Sequence, residues 1–334
     1  MNDEKIFHTT GAKRDKKDRR DYRIAGVTQI VEIPKQVFVL DEKFPSKNQL
    51  SRGSCTSQGQ AHHKERQENK KMSARFIMAL SKKLEGNTGY GGYTRNSFIV
   101  VNKTGVCSEE LYPEPGAEMS WEEYIDASKI SQQCYEDAKE HKSQSYWRVN
   151  EDFNEIKSAL LQYKNSIVCS MEWFKEFNQP IDGLLPLNYS NSVGGHATDL
   201  TGWDDFKEVF IFKNSWGAGW GKGGFFYVPF SIFKNVIWDL WTSLDLPPEL
   251  PVDKYYNEKR TWKDYLLEKK IAFNPWLIKK IGRLPTNREI TALRFYWSFD
   301  AVFKGKVKDV WLKITKPEAL KNGVIDKDEN LINQ

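Results

Sequence analysis

Apolar and polar residues recur along this chain with two different periods, and the change from one to the other falls near residue 165. Before it, helix formers dominate. Thr56 to Lys83 is rich in Gln, Ala, Lys, Glu and Arg, which predicts helix with a break or kink near Gly59 or Met72. RNSFIVVNKTGV resumes a helical pattern after the glycine-rich loop EGNTGYGGY at 85–93. WEEYIDASK and CYEDAKEHK are helical pieces in the polar stretch 112–150, and NEIKSALLQY has apolar residues three and four apart. Beyond 165 the period is that of strands: NSIVCSMEWF, HATDLTGWDD, VFIFKNSW and GFFYVPF, separated by glycine-rich turns. Helices first and an antiparallel sheet later describe an α+β fold.

The two ends lack this order. Residues 1–32, centred on KRDKKDRRDYR, have no period and read as a mobile or draped arm. IPKQVFVL then starts an extended stretch. After LPPELP, a linker, the chain enters a mainly helical tail whose best element opens on the Thr286/Glu289 capping box and stops at Gly305. The predicted organisation is an arm (1–32), a domain (33–246) and a basic accessory unit (247–334).

Composition narrows the function classes. Apolar residues make up 39% and aromatics 13%, enough to fill a core. The first residues have no apolar run of the secretory kind, and Val228 to Leu246 is interrupted by Lys234 and Asp239, short of the ~20 apolar residues of a membrane span. No membrane anchor is expected. Residues 251–334 carry 18 basic and 11 acidic side chains against 32 and 34 in 1–250, so the basic excess belongs to the tail. The tail's aromatics are not enriched, so it reads as a solvated basic face of unknown partner and nucleic acid is not expected. Cysteines at 55, 107, 134 and 169 form no CxxC pair, which speaks for reduced thiols and against a metal site. Asp204-Asp205 is a hairpin turn, and no cofactor is expected.

One thiol stands apart. Cys55 lies in NQLSRGSCTSQGQAHHKERQE, directly before a predicted helix, where a thiol pKa falls and the thiolate becomes a nucleophile. It then needs a His, a group to orient that His, and an oxyanion donor. His196 in NSVGGHATDL, after two glycines at a strand start, is the best His, and Asn214 in IFKNSWGAGWGKGGF follows one hairpin later as the orienting group.

Together these segments resemble the papain family of cysteine peptidases. Asn214-Ser215-Trp216-Gly217 with Gly219-Trp220-Gly221 and Gly224 is the most specific part, and Gly53-Ser54-Cys55 matches the run that precedes the family's helix. KLEG and GVCSEELYP look like the bacterial and phage branch. The resemblance covers about residues 33–245 and implies a two-lobe fold, a helical lobe and an antiparallel, barrel-like one. It implies a peptidase acting on protein or peptide substrates, with Cys55 and His196 as a thiolate–imidazolium pair, Asn214 fixing the ring and Gln49 holding the oxyanion. Gly91, Gly92 and Tyr93 would pair with a bound peptide; Gly195, Cys169, Trp216 and Trp220 would line the site. A non-catalytic structural or binding use of the fold, and an isopeptidase or acyl transferase using the same pair, are the alternatives.

Departures carry expectations of their own. Gly195 stands where many members have Asp or Asn, and Arg52 where secreted members have a half-cystine, which agrees with a reducing, cytoplasmic or virion-associated setting. The helix after Cys55 is unusually polar, so its outer half is expected to meet solvent or the second domain, with His62 and His63 at its surface or behind the site. The arm is expected to be too short to fold over the cleft.

Overall fold

The structure, a computed structural model, describes residues 10–18, 21–26, 28 and 33–244. The linker and basic tail predicted beyond them lie outside the described residues. The first lobe is helical: α1 (Cys55–Glu68), α2 (Ala74–Glu85), α3 (Thr94–Lys103), a single turn α4 (Trp121–Tyr124) and α5 (Gln132–Glu140). The predicted long helix breaks near Met72 and runs unbroken through Gly59. Asn69 ends α1 in the left-handed conformation, and the Ser73 side chain caps α2 by accepting from the Phe76 N–H. Ile77, Leu80, Val101, Val106 and Cys107 fill this lobe.

The second lobe holds β2 (Val37–Val39), β4 (Ser145–Arg148), α6 (Phe153–Tyr163), β5 (Ile167–Phe174), β6 (Ser192–Asp204), β7 (Val209–Lys213), β8 (Phe225–Pro229), α7 (Phe230–Val236) and β9 (Ile237–Leu244). Their pairings are antiparallel. The long β6 is central, bonded to β2, β5 and β7, while β5 continues through β9 to β4. Trp173, Trp203, Phe210, Phe212, Phe226 and Phe233 form the heart of its core. Helical and β-rich lobes agree with the α+β two-lobe reading. Among the described residues no helix is long and apolar enough to cross a membrane.

Helix α1 packs between the lobes, against β6 and β5 on one side and α2 and α3 on the other. This overturns the expectation that its outer half meets solvent; the second domain lies outside the described residues. Residues 55–65 are all buried, and the charges among them are paired, Glu65 with a residue outside the helix and Lys64 within it. Lys47 Nζ lies 2.7 Å from Glu65 and 2.5 Å from Glu109; Lys64 Nζ lies 2.5 Å from Glu68. His62 and His63 are buried too. His62 Nε2 accepts the Lys47 N–H, and His63 is held by Ser166, Asn165 and Ser243.

The arm is the second correction. Its β1 (Ala12–Lys13) runs through the cleft, parallel to β3 (Gly92–Tyr93) of the first lobe and antiparallel to Gly195 on β6. A short arm suffices because its backbone pairs with both walls: Gly11 N donates to Gly195 O at 2.8 Å, and Gly92 N to Gly11 O at 2.9 Å.

Candidate active site

Cys55 is the first residue of α1, where unpaired backbone N–H groups and the helix dipole favour a negative charge. β6 brings His196 beside it: Cys55 packs against Ala197, the next residue along that strand. His196 Nε2 lies 2.7 Å from Asn214 Oδ1, and the Ser215 N–H donates to that same oxygen at 2.8 Å. The second bond fixes the amide's orientation, because an N–H needs an oxygen. His196 must therefore carry a proton on Nε2, and the proton that comes and goes in acid–base exchange is the one on Nδ1.

Trp216 covers this pair with its ring 4.7 Å from that of His196, and Trp220 packs on Trp216 at 5.0 Å. Trp173, which the sequence reading missed, contacts the imidazole edge-on at 4.8 Å and packs on Trp216 at 5.0 Å. Its signal was the position itself, on a predicted strand with a large aromatic facing inward. Ser215 was missed as well. Its hydroxyl donates to Gln49 Oε1 at 2.6 Å, which turns the Gln49 amide so that Nε2 is the donating end; one of its hydrogens goes to Arg52 O at 2.6 Å.

The remaining candidates divide. Gly91, Gly92 and Tyr93 line the cleft, and β3 does pair with an extended peptide, here the chain's own arm. Gly195 also faces the arm. A Cβ there would lie 2.2 Å from Ala12 O and 2.6 Å from the Trp238 ring, so no side chain fits at 195 while the arm is seated. Cys169 does not reach the cleft. Strand alternation on β5 turns Cys169, Met171 and Trp173 into the second lobe's core and Ser170 toward Thr94, so Cys169 is a fully buried packing thiol. Arg52 replaces a staple by other means: its guanidinium lies 3.8 Å from Glu114 and over the Tyr124 ring, tying down the loop around residue 115.

Seating the arm closes the site. Ala12 and Ala197 enclose Cys55, which is fully buried. That burial pushes the thiol up to about 11, although backbone N–H groups of Ala197, Gly11, Thr56 and Cys55 itself pull the other way. The arm is held on both walls beside the thiol, the Gly11 N–H bonded to Gly195 O and the Gly11 carbonyl to the Gly92 N–H.

Comparison with known proteins agrees with this geometry. The family profile described as papain family cysteine protease matches residues 42–234. An uncharacterized peptidase C1-like protein of Acanthamoeba polyphaga mimivirus is 27% identical over 231 residues, covering 62% of this chain and 72% of its own length. Zingipain-2 of Zingiber officinale is 27% identical over 138 residues, 40% of this chain and 57% of that protein. The crystal structure of xylellain, a cysteine protease from Xylella fastidiosa, superposes with a TM-score of 0.64 at 27% identity, covering 71% of this chain and 96% of xylellain.

Proposed function

Because the chain belongs to the papain family of cysteine proteases, we propose that it is a cysteine endopeptidase working through a Cys55–His196 pair. The observation that carries the reading is the shared Asn214 oxygen, which holds His196 with Nε2 protonated and so reserves Nδ1 for the thiol's proton. In this mechanism the thiol proton moves to Nδ1 and the Cys55 sulfur attacks a peptide carbonyl. The Gln49 amide and the Cys55 N–H receive the oxyanion, and the imidazolium returns its proton to the leaving amine. Water, deprotonated by His196, then releases the acid from the thioester. The four free cysteines fit a reducing setting. Likeness to a bacterial enzyme and a viral protein fits the microbial branch.

The test is an epoxysuccinyl peptide applied under reducing conditions to the full chain and to a Gly11→Val variant. A Cβ at residue 11 would lie 2.5 Å from Gly53 O, so valine there is incompatible with the seated arm. A mass adduct on Cys55, faster in the variant, is the expected result. Labelling of neither protein, or labelling that survives Cys55→Ala, would sink the peptidase reading.

A further inference from the structure

Past Lys13 the arm leaves β3 and drops Asp15 into a recess formed by α3, β4 and β9. Asp15 is 6% exposed, although it belongs to a segment otherwise full of solvated charge. Its backbone N–H and one carboxyl oxygen are both bonded there. Its backbone N–H donates to Asp239 Oδ2 at 2.8 Å; its own Oδ2 accepts from the Arg95 backbone N–H at 3.1 Å and from the Trp241 indole N–H at 3.0 Å. Behind these, Arg148 Nη1 donates to Asp239 Oδ1 at 2.5 Å, and the guanidinium groups of Arg148 and Arg95 lie on the Trp241 ring at 4.5 and 5.3 Å.

Removing Asp15 from this recess would leave two N–H donors aimed at an empty point, under two guanidinium groups balanced by Asp21 and Asp239. A buried donor without an acceptor is costly, so the recess has its own demand for an oxygen ligand. Arg148 adds to that demand: it is 8% exposed, its Nη2 has no hydrogen-bond partner among the described residues, and it lines a cavity of about 390 Å³ beside the recess. The wall facing the cleft is thus built to take a short side chain ending in an oxygen acceptor, Asp in the chain's own arm, together with that residue's backbone N–H.

We propose that the recess now holding Asp15 is an aspartate-recognising subsite of the peptide cleft, so that peptides carrying Asp are preferred once the arm is displaced. The inference rests on reading this cleft as a peptide-binding one. Asp239, Trp241 and the Arg95 backbone are its specificity-determining groups, and Asp15 is the chain's own occupant of it.

Two measurements test it, one of which needs no catalysis. A labelled peptide TTGAKRDKKD, residues 9–18, is titrated into the full chain carrying Gly11→Val and Cys55→Ala. Binding is expected to weaken at least tenfold when the peptide's first Asp, the counterpart of Asp15, is replaced by Ala, and Trp241→Phe in the protein should erase most of that difference. Equal binding of the two peptides, no binding of either, or an undiminished difference with Trp241→Phe overturns the proposal. The second measurement uses the Gly11→Val protein with Cys55 intact and peptides in which a single Asp, Ala or Lys is scanned along the sequence. A tenfold or greater advantage of Asp in kcat/KM at one position is expected; equal rates at every position overturn the proposal. Absence of any cleavage, with the binding difference intact, would remove the catalytic reading and leave the subsite standing.

Discussion

Asn214 shows how much of the site a single residue carries. Its one oxygen serves two donors, so truncation frees the imidazole to rotate and leaves the Ser215 N–H without its acceptor. Asn214→Ala is expected to lower kcat of the Gly11→Val protein about 100-fold, the scale on which a small misplacement of a catalytic group is felt. The cost in stability should be about 1–3 kcal/mol, the range for a buried donor left unpaired. A turnover number within a fewfold of the parent would refute the orienting role. Asn214 was legible in the sequence because its neighbours are chemically distinctive: Ser, Trp and glycines that must pack closely around one hairpin. Ser215's hold on Gln49 was not legible. It links residues 166 positions apart through one hydroxyl, and nothing local to either position marks the other.

Helix α1 shows a different limit of sequence reading, at the scale of an element. Its existence followed from propensity, but its polarity suggested an exposed outer face, and the structure buries that face. Burial is tolerated because the charges are matched, Lys64 by Glu68 on the helix itself and Glu65 by Lys47 from elsewhere in the chain, a pair periodicity cannot find. His63 is the sharpest case. Its Nε2 accepts from the Ser243 N–H and from Asn165, so the ring is neutral with its proton on Nδ1, directed at Ser166. Burial, with help from Arg66 and Lys64, holds it down to about 3.

The unfolded chain takes up a proton at this residue near pH 6.5 while the folded one does not. Stability attributable to His63 is therefore present above about 6.5 and is lost as pH falls from there toward 3. Replacing it with Gln should flatten that acid loss and lower stability at pH 8 by about 1–3 kcal/mol through the network it breaks. Urea unfolding at pH 5 and pH 8 checks both; an unchanged difference between the two pH values would contradict this assignment.

For the molecule as a whole, the largest difference between sequence and structure is the arm. Thr10-Gly11-Ala12-Lys13 has no period to find, because its fit depends on being small: Gly11 packs against the backbone of Gly53 and Gly91. Asp239, which in the sequence only interrupted an apolar run, turns out to be one half of the arm's anchor. That anchor makes seating of the arm pH-dependent. Burial, and then the charge of Asp239, raise Asp15 to about 7, opposed by the Arg95 N–H and by the charges of Arg95 on α3 and Arg148 on β4. Asp239 on β9 is itself raised, chiefly by burial, and Asp21 of the arm pairs with both arginines. A released Asp15 would titrate near 3.9. Seating is therefore favoured in full below about pH 4, weakens as pH rises from there to about 7, and changes no further at this residue above it.

The arm should thus close the cleft in acid and loosen toward neutrality. The readout is the alkylation rate of Cys55 in the native chain divided by that in the Gly11→Val protein, which cancels the thiol's own ionisation once the arm is out. This ratio is expected to rise at least tenfold between pH 4.5 and 7.5. In Asp15→Asn, a neutral side chain that still offers an oxygen to Arg95 and Trp241, the ratio should stay low and flat across the same range. A native ratio that does not change with pH, or an Asp15→Asn ratio that rises as steeply as the native one, would take the control of the cleft away from Asp15.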